Sequence, residues 1–151
     1  MRTVALLLGL ALAAVTARAQ SAPTPPLRVA FRLAADDSVG GWEPLTAAGG
    51  GEVCYVSPEV LLDQRSIAAA TARAGERGYW IVDVTMTGAG AKLLAAVTAE
   101  HIGRRLGIVV NGRLLNAPVI RSPITGGRAC IAGSFPPEEA RRLAAAIVAA
   151  D

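Results

Sequence analysis

Asn111-Gly112 separates two apolar, β-branched runs, and no other short segment restricts the fold so tightly. Both central residues of a type I′ turn require positive φ, which Asn and Gly tolerate and most residues do not. Residues 106–110 and 113–120 are therefore expected to form an antiparallel hairpin. A chain with such a hairpin needs further strands and an apolar cover. At 151 residues, 52% hydrophobic and 18% charged, it has the material for one packed domain.

Further strands are written nearby. Residues 27–33 alternate Leu27, Val29, Phe31 and Leu33 with Arg28, Ala30 and Arg32, the period-2 pattern of a strand with one buried face. Residues 79–86 alternate Trp80, Val82 and Val84 with Ile81, Asp83 and Thr85, and residues 52–56 and 129–132 read as shorter strands. Between the first two strands, residues 34–51 carry Asp36-Asp37, Gly40-Gly41, Pro44 and a Gly49-Gly50-Gly51 run, which predicts a loop.

Three helices are expected. Asp63 is a good N-cap for an Ala-rich helix running to about Ala74 and closed by Gly75 and Gly78. Thr87 caps a second helix, with Leu93, Leu94, Val97 and Ile102 on one stripe, ending near Gly103. Pro136-Pro137-Glu138-Glu139 opens the last, with Pro in the first turn and acids at the positive dipole end. The fold class implied is α+β: a mostly antiparallel sheet with about three helices packed on one face.

The N-terminus reads as an export signal. Arg2 precedes an apolar run over residues 4–15, and Ala17-Arg18-Ala19 offers the small-x-small pattern of a cleavage site, giving a signal peptide over 1–19. The run is too short to span a bilayer, which needs about 20 residues, so the mature chain is expected to have no membrane span and to be periplasmic or secreted. Pro23, Pro25 and Pro26 make residues 20–26 an extended linker, with the domain over 27–151. Arg2 and Arg18 belong to the leader, so 13 of the 15 basic residues remain against 12 acidic ones, which gives no case for nucleic acid. In an exported chain, Cys54 and Cys130 are expected to form a disulfide, closing a loop that the chain-entropy relation values at roughly 4 kcal/mol; two buried free thiols are the alternative.

Reactive groups are sparse. His101, the sole imidazole, falls late in a helix, where interaction with the dipole is simpler than general-base work. Gly88-Ala89-Gly90 follows a strand and opens a helix as a phosphate turn does, yet Leu93 occupies the third glycine position. His101, Cys54 and Cys130 lack metal-ligand spacing, and Asp36-Asp37 reads as a solvated pair. No catalytic, cofactor or metal residue is assigned. Trp80 is expected in the core, whereas Trp42, in a glycine-bounded loop, is a possible partner contact.

Beyond these generic signals, residues 84–147 carry a recognisable series. Val84-Thr85-Met86-Thr87 leads into Gly88-Ala89-Gly90-Ala91-Lys92-Leu93 and Val97-Thr98. Ile102-Gly103-Arg104-Arg105-Leu106-Gly107-Ile108-Val109-Val110-Asn111-Gly112-Arg113 and Asn116-Ala117-Pro118-Val119-Ile120 follow, and then Pro123-Ile124-Thr125-Gly126-Gly127, Ile131, Gly133, Phe135 and Glu138-Glu139-Ala140. This resembles the head of the first periplasmic domain of SecD and SecDF protein-export subunits, here as a stand-alone secreted domain. A weaker likeness runs through Ser57-Pro58-Glu59-Val60-Leu61-Leu62-Asp63. Asn111 stands where that family usually has Asp, Leu93 where it often has Phe, and the two cysteines are not part of its pattern. The resemblance implies a non-catalytic extracytoplasmic binding module for exported or unfolded polypeptide or an envelope protein. A structural accessory of a translocase assembly and a small secreted hydrolase or redox protein are the alternatives. The proton-driven motor of the translocase lies in membrane helices, so it is not implied for this chain.

Overall fold

Alternation in β1 (Val29–Ala35) sends Val29 and Phe31 into one core and Ala34 into another, so this strand is buried on both faces. The computed structural model describes residues 28–48 and 50–148; the leader expected over 1–19, the linker over 20–26 and Leu27 lie outside them. Two strands follow β1, β2 (Glu43–Thr46) and β3 (Val53–Val56). The chain then passes through the two-residue β4 (Leu62–Asp63) and a 3-10 turn (Gln64–Ser66) into β5 (Ile67–Ala74). Next come β6 (Trp80–Met86), α1 (Gly88–Glu100), β7 (Arg105–Val110), β8 (Arg113–Asn116), β9 (Arg128–Phe135) and α2 (Pro137–Val148).

Every strand pairing is antiparallel, in two sheets: β2-β3-β1-β7-β8 with β4 also on β1, and β5-β6-β9. The fold is thus α+β, with two sheets in place of one and, among the described residues, two α-helices in place of three. The Asn111-Gly112 hairpin forms as expected, with φ of 50° and 79°. Asn111 also ties the turn to β1, its N–H donating to the Arg28 carbonyl and its Oδ1 accepting from the Arg28 N–H, each at 2.9 Å. The β8 side is shorter than expected, ending at Asn116, although Val119 still bridges Arg105.

The expected helix over 63–74 is a strand. Asp63 does cap, accepting from the Arg65 N–H at 3.0 Å, but only the 3-10 turn. A bulge after Ile67 then shifts the alternation, leaving Ile67, Ala70 and Ala72 against the core and Thr71 and Arg73 outside. Alanine favours helix intrinsically, but here small side chains let α2 lie close over β5, and pairing with β6 overrides propensity. Likewise the loop expected over 34–51 contains β2, which pairs with β3 throughout.

The main core joins Phe31, Ile108 and Leu106 of the first sheet to Val82, Val84 and Ile131 of the second, with Leu94 and Val97 from α1 and Leu143 and Ile147 from α2. The first sheet also curls: the Ala48 N–H donates to the Leu114 carbonyl at 2.9 Å, bringing the β2 end to β8 around a second cluster of Ala34, Cys54, Val56, Val109 and Leu114. Trp80 sits at the core's edge, half-buried, with the Arg141 guanidinium 4.6 Å above its ring. On α1 the buried face is Gly90, Leu94, Val97 and Thr98, so Leu93 and Ile102, expected on the stripe, are exposed.

Thr87 caps α1 as expected, its Oγ1 accepting from the Gly90 N–H at 3.0 Å. Gly90 permits a close approach: a Cβ there would lie 2.3 Å from the Ser66 carbonyl oxygen. Thr98, fully buried, donates to the Leu94 carbonyl and accepts from the Ile124 N–H at 2.8 Å, fastening the 121–126 loop to α1. Gly90→Ala is expected to cost about 1–3 kcal/mol through overpacking, whereas Gly88→Ala, with open space at its Cβ, leaves stability nearly unchanged. Thr98→Val strands the Ile124 N–H and costs about 1–3 kcal/mol. Chemical denaturation of the three variants against wild type checks all three.

Candidate interaction surface

The 3-10 turn is an elbow where the chain leaves the first sheet at β4 and enters the second at β5. Two clefts open beside it. One, about 550 Å³, lies between the elbow and the first turns of α1, lined by Val60, Leu62, Ser66, Thr87, Gly90 and Leu93. Val60 and Leu93 are apolar and exposed there. The other, about 490 Å³, lies along β1 and is lined by Arg28, Ala30, Arg32, Asp63 and Arg65. Asp63 accepts from Arg65 Nε at 3.0 Å and Nη2 at 2.7 Å, and these bonds hold its carboxyl below the ordinary range.

Trp42 is half-buried just before β2, with its N–H donating to the Val39 carbonyl at 3.0 Å to close a turn. It is therefore less exposed than a free loop would leave it. Asp36 and Asp37 do not act as a pair: Asp36 Oδ1 lies 2.8 Å from Arg105 Nε, while Arg105 Nη1 donates to the Ala117 carbonyl. His101 is the C-cap residue of α1 and lines neither cleft.

The expected Cys54–Cys130 disulfide is not formed; both are free thiols. Cys54 is buried on β3 inside the curl of the first sheet, whereas Cys130 is exposed on β9 of the second, opposite Asp83. Burial pushes the Cys54 thiol up, helped by Asp36 and Glu52 and opposed by Arg105. Partial burial and then Asp83 push Cys130 up, opposed by Arg73, which pairs with Asp83 across β5 and β6. Reactive cysteines have depressed pKa values, and these are shifted the other way. Among the described residues no cluster of three or more His, Cys, Asp or Glu is placed to hold a metal, and no helix is long and apolar enough to cross a membrane.

Sequence reading missed the Arg28–Arg32 cleft and the two long-range ion pairs. Only the i, i+4 placement of Arg28 and Arg32 on one strand face signalled the former.

Two antiparallel sheets joined at an elbow and packed with two helices define an α+β head-type domain. The SecDF P1 head subdomain profile matches residues 43–150, and the chain belongs to that family. The protein translocase subunit SecD of Magnetococcus marinus is 39% identical over 111 residues, 72% of this chain and 21% of that protein. SecDF of Thermus thermophilus is 45% identical over 84 residues, 56% of this chain and 11% of that protein. A solved structure of SecDF, described as a membrane component that enhances protein export, superposes with TM-score 0.66 at 29% identity, covering 82% of this chain and 62% of that one. SecDF in a super-membrane-facing form gives the same TM-score and identity over 82% of this chain and 19% of its own. The chain thus spans a small part of its curated relatives.

In the native protein a maleimide is expected to modify Cys130 and to reach Cys54 only on denaturation, with the Cys130 rate rising as pH climbs into the alkaline range. Mass mapping of labelled peptides checks this, and recovery of a Cys54–Cys130 bridge from native protein would contradict it.

Proposed function

We propose that this chain is a non-catalytic, extracytoplasmic interaction domain of protein export that contacts extended polypeptide. The observation that carries the reading is the outer edge of β5, eight residues long and without a strand neighbour among the described residues. An open edge offers main-chain donors and acceptors, so an extended guest can add as a further strand. Main-chain pairing makes no demand on guest sequence, which suits a partner that varies. Family membership supports the placement in protein export, and the half-buried Trp42 is a second contact point. An expected leader over 1–19, a linker over 20–26 and a domain over 27–151 complete the proposal.

Unfolded secretory polypeptide added to the folded protein should be retained saturably. It should slow amide hydrogen exchange along β5, and Trp42→Ala should weaken retention severalfold. Retention no greater than that by an unrelated folded protein would sink the reading.

A further inference from the structure

The cleft along β1 holds positive charge that the described chain leaves uncompensated. Arg28, Ala30 and Arg32 face the same side of the strand, because alternate residues share a face. Four residues of extended chain separate the two arginines by about 13 Å. Neither guanidinium has an ion-pair partner among the described residues. Arg32 Nε is shielded from solvent and has no acceptor, a state that desolvation makes costly until one arrives. Asp63, the one acid lining this cleft, is already engaged by Arg65. Residues 1–27, which run into Arg28, contain no Asp or Glu and supply no carboxylate of their own.

We propose that this cleft recognises carboxylate side chains of an extended, acidic polypeptide segment, with Arg28 and Arg32 as the contact residues. This rests on the polypeptide-binding reading above and narrows it to a charge preference. The guanidinium fork matches a carboxylate with two parallel hydrogen bonds. Ala30, between the arginines, gives a low floor on which an extended chain lies without obstruction. Two positive groups spaced along a strand suit acids spaced along an extended guest better than one compact anion.

The test uses two labelled extended peptides of identical apolar content, one carrying Asp and Glu and the other Asn and Gln at the same positions, titrated by fluorescence anisotropy. The acidic peptide should bind the wild-type protein about tenfold more tightly, the equivalent of about 1.4 kcal/mol. That preference should shrink at high salt as the charges are screened. Arg28→Gln with Arg32→Gln should make the two affinities equal. The lysine pair R28K/R32K, which keeps the charge, should retain part of the preference, and Arg104→Gln, on an exposed segment away from the cleft, should change nothing. Equal binding of both peptides by the wild type overturns the charge preference and leaves polypeptide binding standing; binding of neither overturns both. Sedimentation with phosphatidylglycerol vesicles that requires Arg28 and Arg32, without peptide preference, would assign the cleft to a lipid headgroup and overturn the proposal.

Discussion

The elbow at Gln64–Ser66 is the contact on which the two-sheet arrangement turns. The Ser66 carbonyl accepts from the Thr87 N–H at 2.8 Å, and the absence of a side chain on Gly90 lets the first turn of α1 rest on the same group. This fixes where β5 begins, and so how the second sheet is presented to Phe31 and Ile108 of the first. Both clefts border the elbow, so the surface available to a partner follows from one close backbone approach. Short-range packing of this kind transmits strain, because protein interiors have little free volume to absorb it.

The most legible elements were those whose signal is local. Positive φ at Asn111 and Gly112, the Thr87 cap and the proline-acid start of α2 each depend on residues within one turn of the chain. The family likeness was legible for a related reason: its motif residues occupy constrained positions, as Gly90 against Ser66 and Thr98 under the 121–126 loop illustrate. Residues 67–74 were misread because their alanines answer to α2, some seventy residues later, and because the bulge after Ile67 hides the period of two. Leu93 and Ile102 were placed on the buried stripe because hydrophobicity alone does not say how narrow the contact of α1 is.

Charge followed a similar division. The Asp63–Arg65 clasp lies within one turn of the chain, whereas Arg105–Asp36 and Arg73–Asp83 join residues brought together by strand pairing. The second, smaller apolar cluster exists only because the first sheet curls far enough for Ala48 to reach Leu114. That curl hides Cys54 and, together with the split into two sheets, separates it from Cys130, so an even cysteine count misled where topology decided.

The hairpin turn carries one further consequence. Asparagine followed by glycine is the dipeptide whose side-chain amide is most easily lost, since little hinders attack by the next backbone nitrogen. At Asn111 the cyclic imide so formed consumes the side-chain amide whose oxygen accepts from the Arg28 N–H, and its hydrolysis leaves mainly isoaspartate, with one extra carbon in the backbone of the turn. Ageing of the protein would then distort the turn that joins β7 to β8 and ties both to the start of β1.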